Sequence, residues 1–541
     1  MENQPSRQCP HCQDLTPCYL FVQVPELLEG AKIKAIAVSV DCALYIYAYL
    51  KDANEYTVIE LSSPAGQPSR WKNIGPARPA AELTRALGFR YLWIDSLCIV
   101  QDDPNDWAIE AAKMNHVYHN AALTMSADGA ENPAQGLFAR PAARVSANNT
   151  VTLMTEDPTG RPVEIYARLR CSPPSDPDSA PHSSFHYQKS KLSTRGWVVQ
   201  ERILSPRMVH FYNEELVWSC FGLQRLAPSQ SSTTAGATVS SLAPGHARSL
   251  LIEWTKLVEL FSHRDLTYAK DRLPALSGIA RLVHSHLPSS TRYLAGLWSI
   301  DMAYSLLWIA DHGDASEKDE VITRIPVTPY APSWSWASIV GPIRYMDRHL
   351  DQFTHRRSGK NELKPELEVL HAVTVPPDGP NTANPYGPVS SGAVVVRAQV
   401  LPVIVDPESG DWRPAPNAPG TRVRRKYKPP KMPPMVIPDV LEEYMRIGGE
   451  AIVRESSRPL VMLRAATFIW DGTMSTPSTE VVALLLEMVE PGQNPSAEKA
   501  IETIAGADAN VHVYVRRGVV LHAFHKEEVW AGVETKTVVI V

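Results

Sequence analysis

"RYLWIDSLCIVQDDPNDWAIEAAKMNHVY" (residues 90–118) decides how the amino-terminal half of this chain is read. Its start, with Phe89, gives "FRYLWID", a run dense in aromatic and β-branched residues that reads as a strand ending on Asp95. "DDPNDWAIEAAKMNHVYHN" then opens like a helix, with Asp103 as N-cap, Pro104 in the first position and Asp106 in the third. Trp107, Ala111, Met114 and Tyr118 fall at i, i+4, i+7 and i+11, which makes one apolar stripe. "AALTMSA" (residues 121–127) reads as the next strand. Strand, helix and strand in close succession predict a right-handed crossover and a parallel sheet. Asp95 would then lie at the carboxyl end of its strand, where open α/β sheets bind ligands.

Working outward, "PARPAAELTRALG" reads as a helix, with proline near its start and Gly88 just past its end. Further upstream, "IKAIAVSVDCALYIYAYL" alternates as strands do. Downstream, residues 141–190 are irregular, and "CSPPSDPDSAPHSSF" reads as an exposed loop. "TRGWVVQERILSPRMVHFYNEELVWSC" predicts a short helix, a break at Ser205-Pro206, and a hairpin with strands at about 207–212 and 216–220. Residues 249–310 are read as helical: "SLLIEWTKLVELF", "ALSGIARLVHSHL" and "YLAGLWSIDMAYSLLWIA". After "APSWSWAS" the chain turns strand-rich, with "GAVVVRAQVLPVIV", "VVALLLEMV", "NVHVYVRRGVVLHAF" and "KTVVIV". The expected organisation is an extension with a partly disordered tail (1–75), an α/β core (76–223) and a low-complexity linker (224–248). A helical extension with a Trp-rich end (249–345) and a β-rich domain (365–541) follow.

With 541 residues, 44% hydrophobic and 21% charged, the composition is that of a multidomain globular protein. A net charge of −5 over this length gives no general affinity for nucleic acid or membranes. No apolar run approaches the length of a membrane span, and "MENQPSRQCPHCQDLTPC" lacks a signal-peptide core, so an intracellular, cytoplasmic protein is expected. Seven cysteines, an odd number and mostly scattered, argue against a disulfide framework. Cys9, His11, Cys12 and Cys18 offer half of a zinc site but no second pair, so a reduced tail without metal is the preferred reading. The basic "RVRRKYKPPK" (422–431) is broken by prolines and reads as a solvated loop. No dinucleotide, nucleophile-elbow or P-loop fingerprint is present, and the residues specify no cofactor.

Three groups could carry chemistry. Asp95, Cys98, Gln101 and Asp102 form the first, on the loop after the expected strand. Glu110 is the second, at the margin of the apolar stripe, where its carboxylate would be partly desolvated. Arg195, Gln200, Glu201 and Arg202 in "RGWVVQER" are the third. Asp95, Glu110 and Glu201 are the candidate catalytic carboxylates; Gln101, Asp102, Arg195, Gln200 and Arg202 are the candidate binding residues. The bland alternatives are that Asp95 bonds to amides of its own turn, that Glu201 and Arg202 form structural ion pairs, and that Cys98 is a small buried hydrophobe. If the two polar blocks share a site, Asp95, Gln101 and Asp102 should approach Arg195 or Arg202.

"LGFRYLWIDSLCIVQDDPNDWAIEAAKMNHVYHNAALTMSA" with "GLFARP", and then "TRGWVVQERILSPRMVHFYNEELVWSC", resemble the fungal heterokaryon-incompatibility (HET) domain in type and order. "RYLAGLW", "LLW" and "YAPSWSWAS" resemble the carboxyl-terminal extension of long HET proteins, so the likeness covers roughly residues 78–340. The resemblance implies a parallel-sheet, TIR-like α/β fold and a role in non-self recognition that triggers cell death after hyphal fusion. It also implies two versions of that role: a nucleotide hydrolase that cleaves NAD through a glutamate, or a module that binds a protein partner or itself. The family's opening block, of the type Y-x-A-L-S-Y-x-W-G, is replaced here by "EYTVIELSSPAGQPSRW", which keeps a third reading open, an inactive paralogue.

Overall fold

The computed structural model describes residues 36–40, 43–47, 77–100, 103–137, 150–156, 162–168, 190–211, 216–220, 247–311, 323–326, 330–346, 362–377, 384–405, 412–415, 435–439, 459–470, 478–489, 512–521 and 527–541. The amino-terminal cysteines, Gln101 and Asp102, the 169–189 loop, the linker after Cys220 and the basic 422–431 segment lie outside these residues. The chain forms two units, residues 1–243 and 244–541.

In the first unit, α1 (Arg78–Ala86) stops as its sequence predicts. Gly88 takes φ +79° and donates to the Arg85 carbonyl, while Phe89 N–H reaches back to Thr84. These two bonds satisfy carbonyls that the helix end leaves open. Residues 89–94 then run extended but join no ladder, and Asp95 opens a single turn, α2 (Asp95–Cys98). The expected strand over 90–95 is therefore absent. Tyr91 is 84% exposed, so the aromatic density of this run does not mark a buried strand. α3 (Pro104–Asn120) starts at the expected proline, with Trp107 N–H bonded to the Asp103 carbonyl. The Asp106 carboxylate accepts from Val100 N–H at 2.8 Å and so ties the helix start to the preceding turn.

The sheet of this unit holds β1 (Ile36–Val40), β2 (Ala43–Tyr47), β3 (Thr124–Ser126), β6 (Arg207–Phe211) and β7 (Leu216–Cys220); β4 (Thr150–Glu156) and β5 (Pro162–Arg168) form a separate hairpin. Its order is β1-β2-β7-β6-β3, and only β3 and β6 run parallel. The sheet is mixed rather than parallel. Its crossover joins β3 to β6 through α4 (Gly196–Leu204) instead of joining residues 90–95 to 121–127 through α3. The hairpin β6–β7 forms as expected. α4 ends where Pro206 forces Ser205 into an extended conformation, and the Ser205 hydroxyl caps the Glu201 carbonyl at 2.6 Å. Val209 and Phe211 point to one face of β6 and pack with Ala80 and Leu83 of α1; Met208 and His210 point to the other.

The second unit pairs a helical segment with a large sheet. α5 (Ala247–Ser262) and α6 (Ser277–His284) match the helical pattern, but residues 293–310 do not. They form a tight hairpin, β8 (Tyr293–Leu294) and β9 (Leu297–Trp298), then one turn of helix, α7 (Met302–Ser305), and β10 (Trp308–Ala310), which pairs with β11 (Ile343–Tyr345). Ala295 (φ +47°) and Gly296 (φ +94°) supply the left-handed turn. The Gly296 carbonyl accepts from two indoles, Trp254 Nε1 at 3.1 Å and Trp336 Nε1 at 3.2 Å, and the Ala295 carbonyl accepts from Ser335 Oγ at 2.6 Å. Helical periodicity read this stretch wrongly because most of its apolar residues are buried whatever their spacing, while Ile300 and Tyr304 are exposed, so burial here follows no helical period.

The sheet is built from β12 (Glu362–Pro365), β13 (Glu368–Val375), β14 (Ser391–Val405), β15 (Trp412–Pro414), β16 (Met435–Pro438), β17 (Leu460–Trp470), β18 (Ser478–Met488), β19 (Val513–Leu521) and β20 (Thr535–Ile540). Strand β14 pairs with β20 along its first half and with β17 along its second, so β14, β17, β18, β19 and β20 close into a ring. Closure removes free edges. Leu401, Met462, Leu485 and Val520 fill the inside together with Trp530 from α8 (Glu527–Trp530). Arg516 of β19 binds the ring to the tryptophan-rich segment. It lies 3.5 Å above the Trp308 ring, donates to the carbonyls of Leu306 (2.7 Å) and Trp308 (2.5 Å), and pairs with Asp439. We expect Gly296→Ala to cost roughly 2–3 kcal/mol, because the added carbon meets Trp336 Nε1 at 2.4 Å on a backbone that disfavours any Cβ. Urea unfolding followed by tryptophan fluorescence measures it; an unchanged midpoint would refute this view of the hairpin.

Candidate functional site

Two side-chain groups meet on α4, back to back. The first is a carboxyl cluster. Tyr118, in the last turn of α3, hydrogen-bonds the Glu201 carboxyl, and Asp95 and Arg195 act on both through their charges. Trp107 and Trp197 fix the approach of α3 to α4, edge to face at 6.0 Å, and Trp93 packs on Tyr118 at 5.7 Å in the same manner. Burial raises the Glu201 carboxyl to about 7, and the nearby Asp95 charge adds to this. Arg195, Arg202 and the Tyr118 hydrogen bond pull the other way without overcoming it. The same burial, with Glu201 and Asp95 beside it, pushes the Tyr118 hydroxyl well above an ordinary tyrosine, so it stays a donor. A carboxyl that titrates near neutrality can give or take a proton at physiological pH.

The second group is a buried network that sequence reading missed. Asp128 has no exposed side-chain surface. Its Oδ1 accepts from Ser190 Oγ (2.7 Å) and from the Arg202 guanidinium, and its Oδ2 lies 2.8 Å from His210 Nδ1. His210 Nε2 continues to Ser219 Oγ at 3.0 Å, and Arg202 Nη1 donates to Ser193 Oγ at 3.0 Å. Burial alone would raise the Asp128 carboxyl, but the His210 hydrogen bond and the Arg202 charge hold it below the usual range. Burial lowers His210, which outweighs the pull of Asp128 and keeps the imidazole neutral at physiological pH. The order aspartate, histidine, serine matches a nucleophilic relay, yet all three residues are buried within the unit. The signal was present in sequence: Ser126, His210 and Ser219 are polar residues on one face of β3, β6 and β7, and Asp128 lies two residues beyond Ser126.

The predicted site residues thus divide. Asp95, Arg195, Glu201 and Arg202 come together, with Asp95 and Arg195 exposed and Glu201 half-buried. Asp95 also accepts from Ser96 N–H at 2.7 Å, as the bland reading proposed. Gln200 is fully buried and faces the interior. Glu110 stands apart from this group, since its carboxylate pairs with exposed Lys113 at 2.7 Å on the outer side of α3. Cys98 is exposed rather than buried. Gln101 and Asp102 fall outside the described residues. No cluster of potential metal ligands occurs among the described residues, and no described helix is long and apolar enough to cross a membrane.

Asp128→Ala should destabilise the protein by about 3–5 kcal/mol, because it leaves a buried guanidinium without its carboxylate. Glu110→Ala removes only a surface pair and should change stability by less than about 0.5 kcal/mol. Urea denaturation of both variants checks the contrast, and equal midpoints would contradict it.

No curated protein and no solved structure is significantly similar to this chain. The family model "Heterokaryon incompatibility protein (HET)" matches residues 68–201, a span that contains α1 to α3, β3 and the start of α4 through Glu201. The chain therefore carries a HET domain, and the Asp95, Tyr118 and Glu201 cluster lies within it.

Proposed function

We propose that this chain acts inside fungal cells in non-self recognition, and that its HET domain triggers cell death by hydrolysing a nucleotide such as NAD, with Glu201 as the central carboxyl. The observation that carries this reading is the Glu201 carboxyl raised to about 7 beside a second carboxylate and two arginines. The TIR-like relationship implied by the sequence resemblance points the same way, by analogy of fold. In the reaction, the bond between nicotinamide and the ribose carbon breaks, nicotinamide leaves with the bonding electrons, and water adds to that carbon. Ionised Glu201 stabilises the positive charge developing on the ribose and takes the proton of the attacking water. In this reading Arg195, exposed at the start of α4, holds a phosphate of the substrate.

A second reading has its own support. Phe89, Tyr91, Leu97, Val100 and Ile109 are all exposed around the same segment, which suits a domain that binds a protein partner or a second copy of itself without catalysis. One experiment separates the two. The whole chain and its Glu201→Gln variant are expressed in a compatible fungal host, and the purified proteins are incubated with NAD. The hydrolase reading expects growth arrest with wild type alone. It also expects nicotinamide release that rises with pH through about 7 and falls at least about a hundredfold in the folded variant. Equal toxicity of both proteins without nicotinamide release would favour the interaction module.

A further inference from the structure

The sheet of the second unit holds a cavity where one strand gives way to another. Along β14, β13 pairs as far as Arg397 and β17 begins at Val400, so Ala398 and Gln399 pair with neither of them. A cavity of about 190 Å³ opens at this gap, lined by Glu366, Glu368, Arg397, Gln399, Arg464 and Thr535. The backbone brings these groups together. Glu368 stands opposite Arg397 in register, Thr535 stands opposite Gln399, and Arg397 and Gln399 share one face of β14. On β17 a bulge between Arg464 and Ala466 breaks the alternation, and the Ala465 carbonyl accepts from Glu366 N–H at 2.9 Å. Such bulges re-aim the side chains beside them.

Two ion pairs of different character line the cavity. Arg464 and Glu366 form its fixed part. Glu366 Oε1 accepts from Arg464 Nη2 at 3.0 Å and from Thr467 Oγ1 at 2.7 Å, and Arg464 Nη1 donates to Gln399 Oε1 at 3.3 Å. The Arg464 side chain is only 15% exposed. Arg397 and Glu368 form its yielding part: they pair at 2.6 Å, but each side chain is 54% exposed, and a pair so open to water holds weakly. A simple anion entering between them meets two carboxylates, and a simple cation meets two guanidiniums. A ligand carrying both charges finds a partner for each. The cavity is also smaller than the roughly 300 Å³ at which drug-sized pockets begin, and no aromatic ring lines it among the described residues. We infer that it binds a small polar zwitterion, a free α-amino acid. The ligand carboxylate takes Arg397 from Glu368, the released Glu368 holds the ammonium, and the polar side chain meets the Thr535 hydroxyl beside the Arg464–Glu366 pair. The site lies in the carboxyl-terminal unit and does not depend on the chemistry assigned to the HET domain.

Calorimetric titration of the whole chain with L-glutamine and with L-serine tests the proposal, and saturable binding is expected. L-Glutaminamide, which lacks the carboxylate, and glutaramate, which lacks the ammonium, should each bind about tenfold more weakly than glutamine. Arg397→Gln should weaken glutamine by about five- to tenfold and leave glutaminamide unchanged; Glu368→Gln should weaken glutamine equally and leave glutaramate unchanged. Both variants should melt at the wild-type temperature, since the exposed pair contributes little to stability. This pattern ties each ligand charge to one side chain, which a purely structural ion pair would not produce. Absence of saturable binding by both amino acids would overturn the assignment. So would glutaramate or glutaminamide binding as tightly as glutamine, or both variants binding glutamine as wild type.

Discussion

The bond between Asp128 and Arg202 sets the geometry of the HET domain. A carboxylate without exposed surface needs a compensating charge and hydrogen bonds, and Arg202 with His210 and Ser190 supplies them. Because Arg202 belongs to α4 and Asp128 follows β3, the pair fixes the crossover helix against the sheet it spans. Glu201 is the residue just before Arg202 on that helix. Arg202 is committed to Asp128 by direct contact, so it only partly offsets the burial of Glu201 and the charge of Asp95. The raised Glu201 carboxyl thus follows first from burial and then from the Asp95 charge, which Arg195 and Arg202 offset only in part.

The second unit solves a different problem, that of burying many tryptophans while pairing the indole nitrogens of Trp254, Trp336 and Trp308. Two indoles share the Gly296 carbonyl, and Trp308 donates to the Trp334 carbonyl at 2.9 Å. A glycine is required because only a bare backbone lets Trp336 approach so closely. Arg516 then fastens this arrangement to the closed ring of strands through the backbone carbonyls around Trp308. Burial lowers the pKa of this guanidinium, and Asp439 partly restores it.

Local signals in the sequence were legible where local energetics decide the structure. Pro104 and Asp106 start α3, Gly88 stops α1, and Ser205-Pro206 ends α4, each through bonds made within a few residues. The apolar runs at 392–405 and 481–489 became strands buried on both faces, marked by their β-branched content and turn boundaries rather than by a single buried face. Reading failed where partners far along the chain decide. Residues 90–94 have strand composition but join no ladder among the described residues, and residues 293–298 are a hairpin held by Trp254 and Trp336. The approach of Asp95 to Glu201 followed from assuming that separated polar blocks converge. Tyr118 was read only as part of an apolar stripe, since periodicity does not show that its hydroxyl reaches across to α4.

The central claim is that Glu201 is a half-buried carboxyl, desolvated enough to change charge near neutral pH. Difference infrared spectroscopy of wild type against Glu201→Gln, recorded from pH 4 to 9, follows that one carboxyl directly. The account predicts a protonated-carboxyl band that disappears with a midpoint of about 7, shifting lower in Asp95→Asn as one raising charge is removed. Because the folded-state value lies above the usual 4.5, ionisation also costs stability as pH rises between these values, and Glu201→Gln removes that loss. A midpoint near 4.5 in the folded protein would contradict the account.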